Sequence, residues 1–213
     1  MKNHLKQARY IITETDPKLL PLSLAEVTFV GRSNVGKSSL ICALCENKKL
    51  ARVSKTPGRT RGINVFEVRH DRWLVDLPGF GFSVAPQKQR EYWPKMISGY
   101  LTSRPQLPLV LVLIEAERGP SQLDFSFLQW MSEKKIPCAF VATKVDRLSP
   151  AHQIEQRARM ASALGITPAE MYWVSAQKGY GMNELRLDVA KALGLIKLSP
   201  GEKRESEEQE ISC

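Results

Sequence analysis

Gly31 to Ser38 reads GRSNVGKS, two glycines with four residues between them, followed by lysine and serine. Glycines let a backbone wrap close to phosphate oxygens and turn several amides inward. A helix that opens at such a loop adds its positive dipole end toward the anion. On this pattern Gly31, Arg32, Ser33, Asn34, Val35 and Gly36 form the cradle. Lys37 reaches the outer phosphates, and Ser38 ligates magnesium. A chance glycine-rich turn is the bland alternative. It is disfavoured because the motif follows a strand-like run and opens a helix-like one. The motif alone does not separate ATP from GTP, or a kinase from a hydrolase.

Three further boxes address that choice. Asp76, Leu77, Pro78 and Gly79 form DLPG, 39 residues after Lys37. An aspartate ending an apolar strand beside a phosphate loop is placed to hold magnesium through water, and the Gly79 amide to face the terminal phosphate. Thr143, Lys144, Val145 and Asp146 form TKVD. Asp146 offers two acceptors to the paired N–H donors of guanine, which adenine lacks, and Lys144 can lie along the base. Ser175, Ala176 and Gln177 would supply backbone N–H groups to the guanine oxygen. Each box is weak alone. Four in this order, each ending a strand, select a guanine nucleotide. The magnesium shell wants one more hydroxyl, and the loop Ser54 to Gly62 offers Thr60, with Thr56 as runner-up. Gly58, Arg59, Arg61 and Gly62 share that loop around the nucleotide. The catalytic set read this way is Lys37, Asn34, Thr60 and Gly79; the metal set is Ser38, Thr60 and Asp76.

These residues need elements to carry them. Apolar strand-like runs fall at 27–30, 63–68, 73–75, 109–114, 138–142 and 171–174, with a hairpin turn at His70 and Asp71. Helical patterns fall at 37–45, from about 87 through Tyr100, and at 123–133, 151–164 and 182–193. Alternation of this kind predicts a three-layer α/β fold with a six-stranded, mostly parallel sheet and helices on both faces. The expected divisions are an extension over 1–24, a nucleotide-binding domain over 25–198, and a charged, disordered tail over 199–213.

The chain has 213 residues, 43% of them hydrophobic and 25% charged, which suits one globular domain with short extensions. No run reaches the ~20 apolar residues of a membrane span, and 1–16 lack the apolar core of a signal peptide. A cytoplasmic protein without a membrane partner is expected. The lone CxxC of Cys42 and Cys45 has no second pair, and both are expected on the buried side of a helix. His4, His70 and His152 fall in unrelated segments. The net charge is +9, and residues 31–100 hold 13 basic against 5 acidic residues. An excess of that kind attracts polyanions. It overlaps the phosphate loop and both loops expected to respond to nucleotide. Lys48, Lys49, Arg52, Lys55, Arg59, Arg61, Arg69, Arg72, Lys88, Arg90 and Lys95 carry it. It therefore reads as an RNA-facing surface whose presentation the nucleotide controls. Trp93 has helical spacing with Met96 and Ile97 and is expected in the core rather than against an RNA base.

The chain resembles the bacterial YihA/EngB GTPases, a branch of the TrmE-Era-EngA-YihA-septin group, from about residue 10 to about 195. The resemblance rests on SKTPGRT (54–60), LVDLPGFGF (74–82), MISGYL (96–101) and TKVDRLS (143–149). It implies a Ras-like G domain, magnesium-dependent hydrolysis of GTP to GDP and phosphate, and a switch role in assembling the large ribosomal subunit or its precursor; a monomer is expected. It also implies a link to cell division and septation. This chain departs from the family in having Phe80 and Phe82 where tyrosines are usual. Glu115 and Gly119 stand near positions where the family more often has aspartate and histidine.

Ras-like enzymes place a water-orienting glutamine directly after DxxG. Here that residue is Phe80, so weak intrinsic hydrolysis is expected. Either Asn34 helps coordinate a potassium ion between phosphates, or Phe80 is simply packed and a partner completes the site. Two other functions compete with the assembly switch: a GTP-dependent protein scaffold at division sites with incidental hydrolysis, and a phosphoryl-transferring kinase. TKVD and SAQ argue against the kinase.

Overall fold

The computed structural model describes residues 2–50, 62–81 and 87–196, and for 87–94 the backbone only. Its strands are β1 (Arg9–Glu14), β2 (Ala25–Gly31), β3 (Ile63–Arg69), β4 (Arg72–Asp76), β5 (Leu109–Glu115), β6 (Cys138–Thr143) and β7 (Met171–Trp173). They form one sheet in the order β1-β3-β4-β2-β5-β6-β7. The sheet thus has seven strands where six are expected from sequence. The addition is β1, which lies within the stretch read as an extension. It pairs antiparallel with β3, Arg9 opposite Glu67 and Glu14 opposite Ile63, with an irregularity between Tyr10 and Ile12. Its residues are mostly exposed, so it lacks the clean apolar alternation by which a half-buried strand is read.

The rest of the sheet follows the alternation. β2 pairs parallel with β4 and β5, and β5 and β6 continue the parallel set. The β3–β4 hairpin turns through His70 and Asp71, both with positive φ (38° and 58°), as a tight turn matched to strand twist requires. The helices are α1 (Lys37–Leu44), α2 (Gln87–Ser103), α3 (Gln122–Glu133), α4 (Pro150–Leu164) and α5 (Met182–Ala192).

Period-two burial splits the core between the two faces of the sheet. Val27, Phe29, Leu111 and Leu113 pack with Leu40, Ile41 and Leu44 of α1 and Leu185 and Val189 of α5. Val30, Val110 and Val112 pack with Met96, Ile97 and Tyr100 of α2 and Met131 of α3. Cys42 of α1 and Cys45, which caps its C-terminus, are both buried, as expected from their spacing. Trp93 belongs to the stretch described by backbone alone. No helix among the described residues is long and apolar enough to cross a membrane.

Candidate functional site

The parallel strands deliver their carboxyl ends to one pole of the sheet, and all four boxes lie at those ends. β2 runs out at Gly31, whose φ of 151° lies outside what a side chain tolerates; a Cβ there would come within 2.6 Å of the Leu113 carbonyl. The loop turns through Asn34 (φ 63°) and Gly36 (φ 109°) into α1. The Lys37 side chain folds back over this loop and donates to the carbonyls of Gly31 (3.2 Å) and Arg32 (3.5 Å). Lys37 is buried, and desolvation lowers its pKa while the Asp76 carboxylate pulls it back up.

Asp76 ends β4 directly beside this lysine. Its Oδ2 accepts a hydrogen bond from the Ser38 hydroxyl at 2.6 Å. Its Oδ1 is buried and has no partner among the described residues. Burial pushes the carboxyl pKa up, and Lys37 and Ser38 pull it down. A hard-oxygen pair with one unsatisfied carboxylate oxygen suits magnesium, which takes few protein oxygens and keeps several waters.

The segment after β4 crosses the phosphate loop. The Ser33 amide donates to the Phe80 carbonyl at 3.0 Å, and the Phe80 amide donates to the Gly31 carbonyl at 3.3 Å. Gly79 must be glycine here, because a Cβ would lie 2.7 Å from Ser33 Cα and 3.0 Å from Lys37 Nζ. The Phe80 ring packs against Phe127 of α3 in a tilted arrangement, 5.0 Å between centroids and 33° between planes. Phe80 is thus packed against the core on its α3 side.

The TKVD and SAQ boxes sit on the other side of the loop. Thr143 ends β6 and is buried; its hydroxyl donates to the Val35 carbonyl at 2.8 Å. Lys144 has a φ of 60°, and its ammonium donates to the Asn34 carbonyl at 2.7 Å. The box after β6 is thus fastened to the phosphate loop at two consecutive carbonyls. Between them opens a cavity of about 350 Å³, lined by Gly36, Lys144, Asp146, Ala176 and Gln177 among others. Val145 and Ser175 point away from it. Val145 is buried in the core near α4, and the Ser175 hydroxyl accepts from the Lys178 amide at 3.0 Å, shaping the turn.

Most of the sequence-derived set therefore converges: residues 31–38, 76–79, 143–146 and 175–177 share one pole. Gly58, Arg59, Thr60 and Arg61 lie outside the described residues. Gly62 lies against Thr13 and Glu14 of β1. Four further residues line the cavity without having been singled out: Ser39, Leu40, Arg147 and Val174. Glu115, noted only as a departure, gathers Arg147 (2.8 Å), Lys144 (3.2 Å) and Arg118 (3.7 Å) around one carboxylate. A cation two positions beyond Val145 was the available signal for Arg147; the cavity walls from α1 carried none.

Four of the basic residues named from sequence lie away from this pole. Lys48, Lys49, Arg69 and Arg72 follow α1 or sit on the β3–β4 turn, at the amino ends of β2 and β4. The Arg72 guanidinium is turned inward and donates to the Leu193 carbonyl at 2.7 Å. Arg52, Lys55, Arg59 and Arg61 lie outside the described residues, and Lys88 and Arg90 fall on the backbone-only part of α2. Of the basic residues named from sequence, Lys48, Lys49, Arg69 and Arg72 are thus placed at the opposite end of the sheet from the phosphate loop.

Comparison with known proteins agrees with this geometry. A family profile described as "50S ribosome-binding GTPase" matches residues 26–144. The chain is 40% identical over 182 residues to a protein named "Probable GTP-binding protein EngB" of Desulfatibacillum aliphaticivorans, covering 85% of this chain and 89% of that one. It is 42% identical over 186 residues to the protein of the same name from Pelobacter propionicus, covering 87% and 93%. A crystal structure of a probable GTP-binding protein engB superposes with a TM-score of 0.65 at 25% identity, covering 81% of this chain and 100% of that one.

Proposed function

The chain belongs to the EngB family of GTP-binding proteins and is a GTPase, and from that premise we propose that it serves as a GTP-dependent switch in assembly of the large ribosomal subunit. The observation that carries the nucleotide part is the double fastening of the base box to the phosphate loop, Thr143 to Val35 and Lys144 to Asn34. It ties the cavity beside Asp146 to the loop that carries Lys37, which supports reading that cavity as the guanine site. The family description and the basic charge support a ribosomal partner. Any link to cell division is read as indirect, through the supply of subunits.

Each residue has a task in this reading. Asp146 accepts from guanine, and Ala176 and Gln177 present backbone at the base. Lys37 exchanges its two carbonyl acceptors for phosphate oxygens, a stronger charge-assisted pairing. Ser38 and Asp76, with Thr60 from the neighbouring loop, would hold magnesium, which when bound neutralises charge on the outer phosphates. Phe80 has no polar atom to orient a water, so intrinsic hydrolysis is slow.

Co-sedimentation with purified ribosomal subunits tests the proposal. Binding to large subunits with a non-hydrolysable GTP analogue, and weaker binding with GDP, is expected. Absence of binding in both states overturns it. Asp146→Asn tests the cavity assignment. An amide presents a donor to guanine's donors, so GTP affinity falls by about two orders of magnitude or more and xanthine nucleotide is favoured.

A further inference from the structure

The pole opposite the nucleotide cavity carries its own concentration of positive charge. β2 and β4 lead away from it for about 15 Å before reaching Gly31 and Asp76. α1 returns to it, so Lys48 and Lys49 arrive there, as does the turn after Arg69. Leu5, Ala8, Leu50 and Val68 are buried in one cluster, which draws their segments around a common apolar plug. Side chains bind those segments together. Asn47 donates to the Ala8 carbonyl at 3.4 Å and Asn3 to the Leu44 carbonyl at 2.9 Å.

The acids at this pole are largely committed. Glu46 lies 3.8 Å from Lys6 and 3.6 Å from Arg186. Glu67 is held by Arg9 at 2.5 Å, and that bond keeps its carboxyl below the usual range. Asp71 in the hairpin turn is the remaining acid of these segments. Against it stand Lys2, Lys48, Lys49 and Arg69, all exposed and without a carboxylate in ion-pair range among the described residues. The cavity's own rim differs, since Arg118, Lys144 and Arg147 there converge on Glu115. The partner must be a polyanion of spaced charges. In the segments that bear the free cations, the apolar residues Leu5, Ala8 and Leu50 are buried. They leave nothing to insert into a lipid surface, as an interfacial helix would. Tyr10, the exposed ring nearest these segments among the described residues, packs edge-on against Phe66, 6.1 Å between centroids, rather than standing free to stack on an unpaired base.

We infer that this pole is a second contact surface, for the phosphate backbone of folded RNA, and that it works in every nucleotide state. The choice of RNA rests on the ribosomal reading above. The surface lies apart from the phosphate loop and from the loops after β4, β6 and β7, where nucleotide would bind. It would hold the protein on its RNA while those loops report on GTP.

The test uses the full chain and a triple charge reversal, Lys48→Glu with Lys49→Glu and Arg69→Glu. Affinity for a bare RNA hairpin is measured from ~50 to ~200 mM salt, with GDP and with a GTP analogue. Wild type should bind equally in both states. The variant should bind about tenfold or more weakly in both, with a log–log salt slope reduced by about 2 to 3. Its GTP hydrolysis should be unchanged. Wild-type affinity in the variant, or a loss confined to one nucleotide state, overturns the inference. So does binding to phosphatidylcholine–phosphatidylglycerol vesicles in place of RNA. Failure of the ribosomal proposal looks different: the hairpin is bound and the variant impaired, yet large subunits are not retained in either state.

Discussion

The hydroxyl of Thr143 donates to the carbonyl of Val35 across 108 positions of sequence, joining the strand that ends at the base cavity to the middle of the phosphate loop. Thr143→Val removes the donor and leaves a buried carbonyl, at a cost of about 1–3 kcal/mol. The cost falls on loop placement, so GTP and GDP should weaken by the same factor, roughly fivefold or more. Titration with fluorescent guanine nucleotides reads this. A loss confined to GTP would show that the bond serves the terminal phosphate instead.

Glu26 and Arg104 form a buried pair at the other end of β2. Glu26 Oε1 also accepts from Ser23 at 2.6 Å, and its Oε2 from Tyr100. Arg104 donates to the Pro21 carbonyl at 2.9 Å and lies 5.6 Å over the Trp73 ring. The network fixes α2 to the sheet and gives the tyrosine of MISGYL a structural role. Glu26→Ala strands a buried guanidinium and should cost about 3–5 kcal/mol in denaturant unfolding. Replacing both partners by methionine should recover much of it. A double variant as weak as the single one would contradict this account.

Asn34 is exposed and holds its left-handed conformation at the mouth of the loop. Its carbonyl is taken by Lys144, while its side chain has no hydrogen-bond partner among the described residues. The potassium reading of this residue requires faster hydrolysis in potassium than in sodium, with the difference lost in Asn34→Ala. Equal rates in the two salts would assign acceleration to a partner.

Cys45 is fully buried, and desolvation pushes its thiol up to about 12. At pH 8 roughly one in ten thousand such thiols is ionised. Alkylation followed by mass spectrometry should leave Cys45 unlabelled until the fold opens. Its labelling rate should rise with pH well beyond the range where an ordinary cysteine has levelled off. Prompt modification at neutral pH would mean that α1 opens locally.

The sequence made the site legible where chemistry demands a local pattern. Gly31–Ser38, Asp76–Gly79, Thr143–Asp146 and Ser175–Gln177 each need particular residues within a few positions, at the end of an apolar run. It was mute where a role depends on who packs beside whom. Glu115 looked like a departure from a family pattern, yet its three cations come from its own loop and from the segment after β6. Ser39 and Arg147 reach the cavity only because α1 and that segment face each other. β1 was missed because an exposed edge strand has little apolar face to show. The basic stretch read as one region, since neighbours in sequence there alternate between the two ends of a strand.

That edge strand has a consequence for how the chain is made. Arg9 must find Glu67, and Glu14 must find Ile63. Residues 15–62, with the phosphate loop among them, form the span that this pairing closes. During synthesis β1 leaves the ribosome first and has no partner until β3 has followed it. Closing a span of that length is slow relative to local contacts, so the first strand made should be among the last to dock. Pulse-labelled hydrogen exchange during refolding should show the amides of 9–14 protected later than those of β2 and β5.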